Sequence, residues 1–152
     1  MPHTDPDDPP RRRANQAKGH GTWETDRPPV PGVVGRRSGR VWFRVGHRCG
    51  SAELVDATVL PATQPGAMVY TDDWNGYNPL GRRGRGHATV NHNRGEFARD
   101  DDGDGVREVH CNTMEGIWTG LRNFLRPFRG VNKAYLEQYV IIFQWSYNLK
   151  TV

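Results

Sequence analysis

The side chains best suited to chemistry in this sequence fall in a few short stretches. Asp72 stands near the end of an apolar run, AMVYTDDW (67–74). Open α/β sheets hold ligands just beyond the carboxyl ends of their strands, so a carboxylate there projects from rigid backbone toward a site. Asp73 follows at once, and in a continuing strand it points to the opposite face, so only one of the pair can face a site squarely. The plain alternative is an Asp that merely opens a turn. Glu115 and Arg122 form the next grouping. They lie seven residues apart in a helical stretch, about two turns, which returns both to one side at the border of the apolar stripe. Such a pair can rim a site; equally, a first-turn Glu favours the helix dipole while the Arg faces solvent. The loop GRRGRGH (81–87) offers Arg82, Arg83 and Arg85 to phosphates, or simply to water.

Other candidates fall short of a known pattern. Asp100, Asp102, Asp104 and Gly105 match positions 1, 3, 5 and 6 of a calcium-binding EF-hand loop, with Glu108 at position 9. Position 12 requires a bidentate Glu and is Cys111, so the segment reads as an acidic surface loop. His110 beside Cys111, and His47 near Cys49, are metal-ligand types without further clustered ligands, and they read as incidental neighbours. Cys49 and Cys111 are the only cysteines, so a disulfide framework is excluded, and no C-x-x-C pair exists to suggest a structural zinc site. Phosphate-binding P-loop, G-x-S-x-G and H-E-x-x-H motifs do not occur.

Bulk composition sets the frame for these residues. The chain has 152 residues, enough for one domain with a core, but it is only 35% hydrophobic and holds 18 Gly and 11 Pro. Long irregular stretches follow. Its net charge is +4, carried by 18 Arg against 3 Lys. Arg favours bidentate phosphate contacts, which suits a polyanionic partner, though a GC-rich genome would give the same bias. The polar, Pro-rich start MPHTDPDDPP does not read as a signal peptide, and no apolar run approaches the roughly 18 residues of a membrane span. The expected setting is therefore soluble and cytoplasmic.

The elements that must position the candidates can be read from local patterns. Residues 1–29 alternate acidic (Asp5, Asp7, Asp8) and basic (Arg11, Arg12, Arg13) patches among prolines, which predicts an irregular arm or insertion. VPGVVGRR (30–37) and RVWFRVGH (40–47) read as a hairpin turning at Ser38-Gly39, with Val41, Phe43 and Val45 on the buried face. SAELVDATVL (51–60) has helical composition, with Ser51 a candidate cap. A buried strand over 67–74 follows, then mostly loop from 75 to 111 with a short strand at ATVNH (88–92). Met114, Ile117, Trp118, Leu121, Phe124 and Leu125 predict a helix stopped by Pro127. Asn132 then caps a last helix with a stripe of Tyr135, Leu136, Tyr139, Val140, Phe143 and Tyr147. The order is that of a mixed α/β domain.

Taken together, VYTDDWNGYNPL, GHATVNHNRGEF and VHCNTMEGIWTGLRNFLRPFRGVNKAYLEQYV resemble the ISXO-like DDE transposase domain of bacterial insertion sequences. The family pattern is a strand ending T-D-x-W-x-x-Y, a V-N-H segment, an N-T-x-E-G-x-W helix with a basic residue seven on, and a closing Tyr/Phe-rich helix. The resemblance implies a ribonuclease H-like fold, a mixed sheet flanked by helices. It also implies Mg²⁺-dependent cleavage and transfer of DNA strands. In that reading residues 30–152 form a partial catalytic domain. Asp72 and Glu115 are the second and third acids and metal ligands, and Arg122 is the basic residue that follows them. Arg82, Arg83, Arg85, Arg126 and Arg129 then contact DNA, at the element's ends and at the target. An intact relative would work as a homo-oligomer on nucleoid DNA.

One departure qualifies this. The family's first acid lies on a first strand before the Pro/Arg-rich insertion, and none of Asp5, Asp7 or Asp8 sits in such a strand. The expectation is a fragment lacking that strand and inactive alone. The alternative is a non-catalytic basic DNA-binding module.

Overall fold

The alternation at Val41–Trp42–Phe43 forms a strand with its first and third side chains buried and the middle one exposed. The computed structural model describes Asp7, residues 21–48 and residues 52–151. Asp5, Asp8, Arg11, Arg12, Arg13, Cys49 and Ser51 lie outside those residues. Strand β1 (Gly32–Val34) pairs antiparallel with β2 (Val41–Phe43), and helix α1 spans Ala52–Ala62. Strand β3 (Met68–Asp72) pairs with β4 (Gly86–Val90), and helices α2 (Asn112–Leu125) and α3 (Lys133–Leu149) close the chain. This is a mixed α/β arrangement. Among the described residues the strands form two separate two-stranded sheets instead of one mixed sheet.

The hairpin turn is longer than Ser38-Gly39 alone. Gly35 N–H donates to Arg40 O and Gly39 N–H to Gly35 O, so the whole 35–40 segment makes the reversal. Gly32 is held to glycine by crowding, because a Cβ there would meet Met114 Cε and the Phe43 ring at 2.7 Å. The outward edge of β2 is covered by α3. Val41 N–H donates to Asn148 Oδ1 (2.8 Å), Asn148 Nδ2 donates to Val41 O (3.0 Å), and Phe43 N–H donates to Gln144 Oε1 (2.7 Å). Two side-chain amides thus satisfy backbone groups that a bare strand edge would leave open.

Two apolar clusters result. Val41 and Phe43 pack with Ile117 and Leu121 of α2 and Val140 of α3. Val55 and Val59 of α1 pack with Leu80, joined by Val33 from β1 and Val69 from β3. Asn132 caps α3 as expected, its Oδ1 accepting from Ala134 N–H at 2.9 Å. The α3 stripe centres on Leu136, Val140, Phe143 and Tyr147. Tyr135, expected in it, is 42% exposed; at 100° per residue it falls about a quarter-turn outside the stripe's centre.

The end of the expected arm is tied to the body. Lys133 Nζ pairs with Asp26 (3.0 Å) and donates to Trp23 O (3.0 Å), while Trp23 stacks on His47 with ring centroids 4.7 Å apart.

The link from β3 to β4 was expected to be loop. It folds as a 3-10 helix over Asn75–Arg83, anchored by the fully buried Leu80. Parallel strands need a crossover of about a dozen residues, and this segment is just long enough. Gly84 (φ 72°) ends the turn in the left-handed region, and its O accepts from Gly66 N–H at 2.7 Å, which sets the two strands side by side. Among the described residues no helix is long and apolar enough to cross a membrane.

Candidate active site

The parallel register sets the site. Asp72, the last residue of β3, lies opposite Val90, so the chain leaving β4 runs past the carboxyl end of β3. The two neighbouring acids divide as strand geometry requires. Asp73 Oδ2 accepts from Asn91 Nδ2 at 2.7 Å, and Asn91 Oδ1 in turn accepts from Arg94 N–H. Asn91 N–H donates to Glu96 Oε2 at 3.0 Å, which ties down the base of the 3-10 turn His92–Arg94. Asp73 therefore organises the turn that carries His92, while Asp72 stays exposed at the strand end.

The following loop returns the chain to the same place. Arg99 and Val109 form an isolated antiparallel bridge that closes the acidic DDDGDG segment. Within it Asp100 accepts from Gly103 and Gly105 N–H, and these backbone donors hold its carboxyl below the usual range. Asp100, Asp102 and Glu108 cluster there, but much of their acceptor capacity is already spent on the loop itself. Arg36, from the hairpin turn, donates to Glu108 O and His110 O and lies over the Tyr70 ring at 4.0 Å. It fastens the returning loop to β3.

Helix α2 then starts next to the strand end. Cys111 is its N-cap without a side-chain capping bond, and Glu115 lies in the first turn. Cys111 Sγ is 3.4 Å from His92 Nε2 and 3.9 Å from Glu115 Oε1, and Glu115 Oε1 is 3.6 Å from His92 Nδ1. Cys111 meets His92, and not its sequence neighbour His110. Burial pushes the Cys111 thiol up, and the charges of Glu115 and Asp72 push it the same way. Asp72 lies at the end of a strand and Glu115 at the start of a helix. Both are exposed, which leaves them accessible to an ion or to a phosphodiester. Arg122 lies exposed in the last turn of α2.

Residues 6–148 match the sequence family described as the ISXO2-like transposase domain. The chain belongs to that family. One relative, described as an uncharacterized protein in transposable element ISH50 of Halobacterium salinarum, is 30% identical over 139 residues. That match covers 91% of this chain and 45% of the relative, so the chain spans less than half of the relative's length. No solved structure matches the chain.

The basic residues of this transposase-family domain are not equivalent. Arg82 is exposed. Arg83 pairs with Asp56 at 2.8 Å, its side chain half exposed. Arg85 is engaged at the end of α1: Nε donates to Thr63 Oγ1 (2.9 Å), and Nη2 donates to Thr63 O (2.8 Å) and Leu60 O (3.3 Å). It satisfies carbonyls that a helix end leaves open. Arg85→Ala is therefore expected to lower stability by about 1–3 kcal/mol in thermal unfolding. Arg82→Ala should change it by less than about 0.5 kcal/mol. Arg126 opens the 3-10 turn after α2 and Arg129 follows it, and both are exposed.

His92, Cys111 and Arg36 were not among the residues first assigned to the site. The signal for His92 was present in the V-N-H segment, but nothing local joined it to Cys111. Arg36 reads in sequence as one more solvated arginine.

Proposed function

We propose that this chain is part of a transposase catalytic domain. In this reading it supplies the second and third acids, Asp72 and Glu115, binds DNA through exposed arginines, and does not cut DNA unaided. The observation that carries the reading is the β3–β4 register, which brings His92, 3.6 Å from Glu115, past the strand end that carries Asp72. Two exposed carboxylates supply hard oxygen donors, which suit Mg²⁺. When bound, a pair of such ions would supply activation of an attacking oxygen and stabilisation of the leaving one in phosphodiester cleavage and 3′-OH transfer. The protein's own part is positional. Asp72 is rigid by β3–β4 pairing, Glu115 by the first turn of α2, and Asp73 anchors the intervening turn through Asn91.

The described site holds two acids where the family's reaction uses three. The two small sheets share one apolar cluster, Val55, Val59 and Leu80, which Val33 and Val69 join. That shared cluster supports a ribonuclease H-like mixed sheet that unites the two. Residues 1–29 are then the insertion and 30–152 the partial catalytic domain. DNA ends and target DNA are the partners, in an oligomer on nucleoid DNA.

Paramagnetic Mn²⁺, a stand-in for Mg²⁺, tests the metal assignment. The amides around Asp72 and Glu115 should broaden together in NMR spectra. Asp72→Asn or Glu115→Gln should raise the Mn²⁺ needed by at least about tenfold. Broadening confined to the acidic loop 100–108 would overturn the assignment. Mg²⁺-dependent cleavage of DNA bearing the element's ends, abolished by Asp72→Ala, would overturn the view that the chain is incomplete.

A further inference from the structure

Carboxylate chemistry leaves two side chains at this corner without a role. His92 Nε2 and Cys111 Sγ lie 3.4 Å apart, and Glu115 Oε1 lies 3.9 Å from the sulfur and 3.6 Å from the other ring nitrogen, Nδ1. One ligand atom from each of the three lies within 4.8 Å of the others. A four-coordinate Zn²⁺, with bonds of about 2.3 Å to sulfur and 2.0–2.1 Å to nitrogen or oxygen, spaces its ligands roughly 3.3–3.6 Å apart. The Sγ–Nε2 spacing already falls in that range, and the exposed Glu115 side chain must rotate to bring its oxygen to the same ring nitrogen.

The backbone around the donors is held independently of any ion. His92 sits on the turn fixed by Asn91, Asp73 and Glu96. Cys111 is placed by the Arg99–Val109 bridge and by the grip of Arg36 on the His110 carbonyl. Glu115 follows one turn into α2. His92 and Cys111 are half-buried and Glu115 is exposed, so an ion has access and a fourth position stays open to water. A mixed sulfur, nitrogen and oxygen set suits a borderline ion such as Zn²⁺, whereas Mg²⁺ selects oxygen ligands in octahedral geometry.

We propose that His92, Cys111 and Glu115 form a binding site for a thiophilic divalent ion of the Zn²⁺ class, with the Cys111 thiol proton released to solvent on binding. Because Glu115 is shared, occupancy withdraws it from the Asp72–Glu115 pair. The site therefore opposes Mg²⁺ binding there. That last consequence rests on the function proposed above; the ion site itself does not.

Co²⁺ is the probe, added to the full chain under reducing conditions and followed by thiolate-to-cobalt charge-transfer absorption. Saturation at one equivalent is expected, with Zn²⁺ displacing the cobalt. Cys111→Ser should abolish the absorption. His92→Gln and Glu115→Gln should each weaken cobalt affinity by more than about tenfold, since even indirect supports of a metal ligand cost that much. Cys49→Ser should leave the absorption unchanged. Absorption that survives Cys111→Ser, that disappears with Cys49→Ser, or that never develops overturns the proposal. Asp72→Asn separates the two readings, because it should raise the Mn²⁺ needed for broadening while leaving the cobalt absorption in place.

Discussion

DNA affinity of this chain is expected to fall by roughly two orders of magnitude as salt rises from about 50 to 200 mM. Arg82, Arg122, Arg126 and Arg129 are exposed. If each neutralises one phosphate of duplex DNA, the slope of log affinity against log salt is about −3.6, at about 0.9 per contact. Alanine at any one of the four should make the slope shallower by about 0.9. Arg83, already paired with Asp56, should contribute less. Arg85→Ala should leave the slope unaltered while lowering stability, because its guanidinium is spent on Leu60 and Thr63. Asp72→Asn should not change the slope, since it alters the metal site and no phosphate contact. Filter binding or fluorescence anisotropy over a salt series measures all of these. A slope near zero, or one untouched by Arg126→Ala, would remove DNA from the proposed partners.

Phe43→Ala should be the most damaging single core change, at about 3–5 kcal/mol. The ring is 6% exposed and packs edge-on against Trp118 at 5.3 Å and tilted against Phe143 at 6.0 Å. It is where the hairpin, α2 and α3 meet, and Gly32 admits it by having no side chain of its own. Removing it leaves a cavity that three elements would have to close together. A domain of this size has a total stability of about 5–15 kcal/mol, so the variant should approach unfolding. In urea the midpoint should drop by about 2 M, taking a slope of about 2 kcal/mol per molar. Trp42→Ala, one residue away and 41% exposed on the other face, should cost less than about 1.5 kcal/mol. Equal losses at both positions would contradict the burial pattern on which the fold rests.

The two longer helices, the strand ending at Asp72, the buried face of β2 and the Asn132 cap were all legible in the sequence. Each is a local matter. The 3.6- and 2-residue periods, a Pro stop and a side chain reaching a neighbouring N–H are set within one turn or strand. The family was legible too, because its motifs are short contiguous strings around strand and helix ends, and residues 6–148 match it. The 3-10 helix over Asn75–Arg83 was not, because its apolar anchor, Leu80, gains meaning only under Val55 and Val59.

The tertiary structure decided which of the polar residues meet. Parallel pairing of β3 with β4 carries His92 past the end of β3, and the Arg99–Val109 bridge with Arg36 carries Cys111 back to it. These contacts join residues far apart in the chain, so no window of sequence contains them. The same holds for the arginines: Arg82 and Arg85 look alike in GRRGRGH, yet one faces solvent and the other ties down the end of α1. Sequence alone determined the family and the elements that carry Asp72 and Glu115. Only the long-range pairing, which depends on how separate elements bury their apolar faces together, brought a thiol and an imidazole to Glu115.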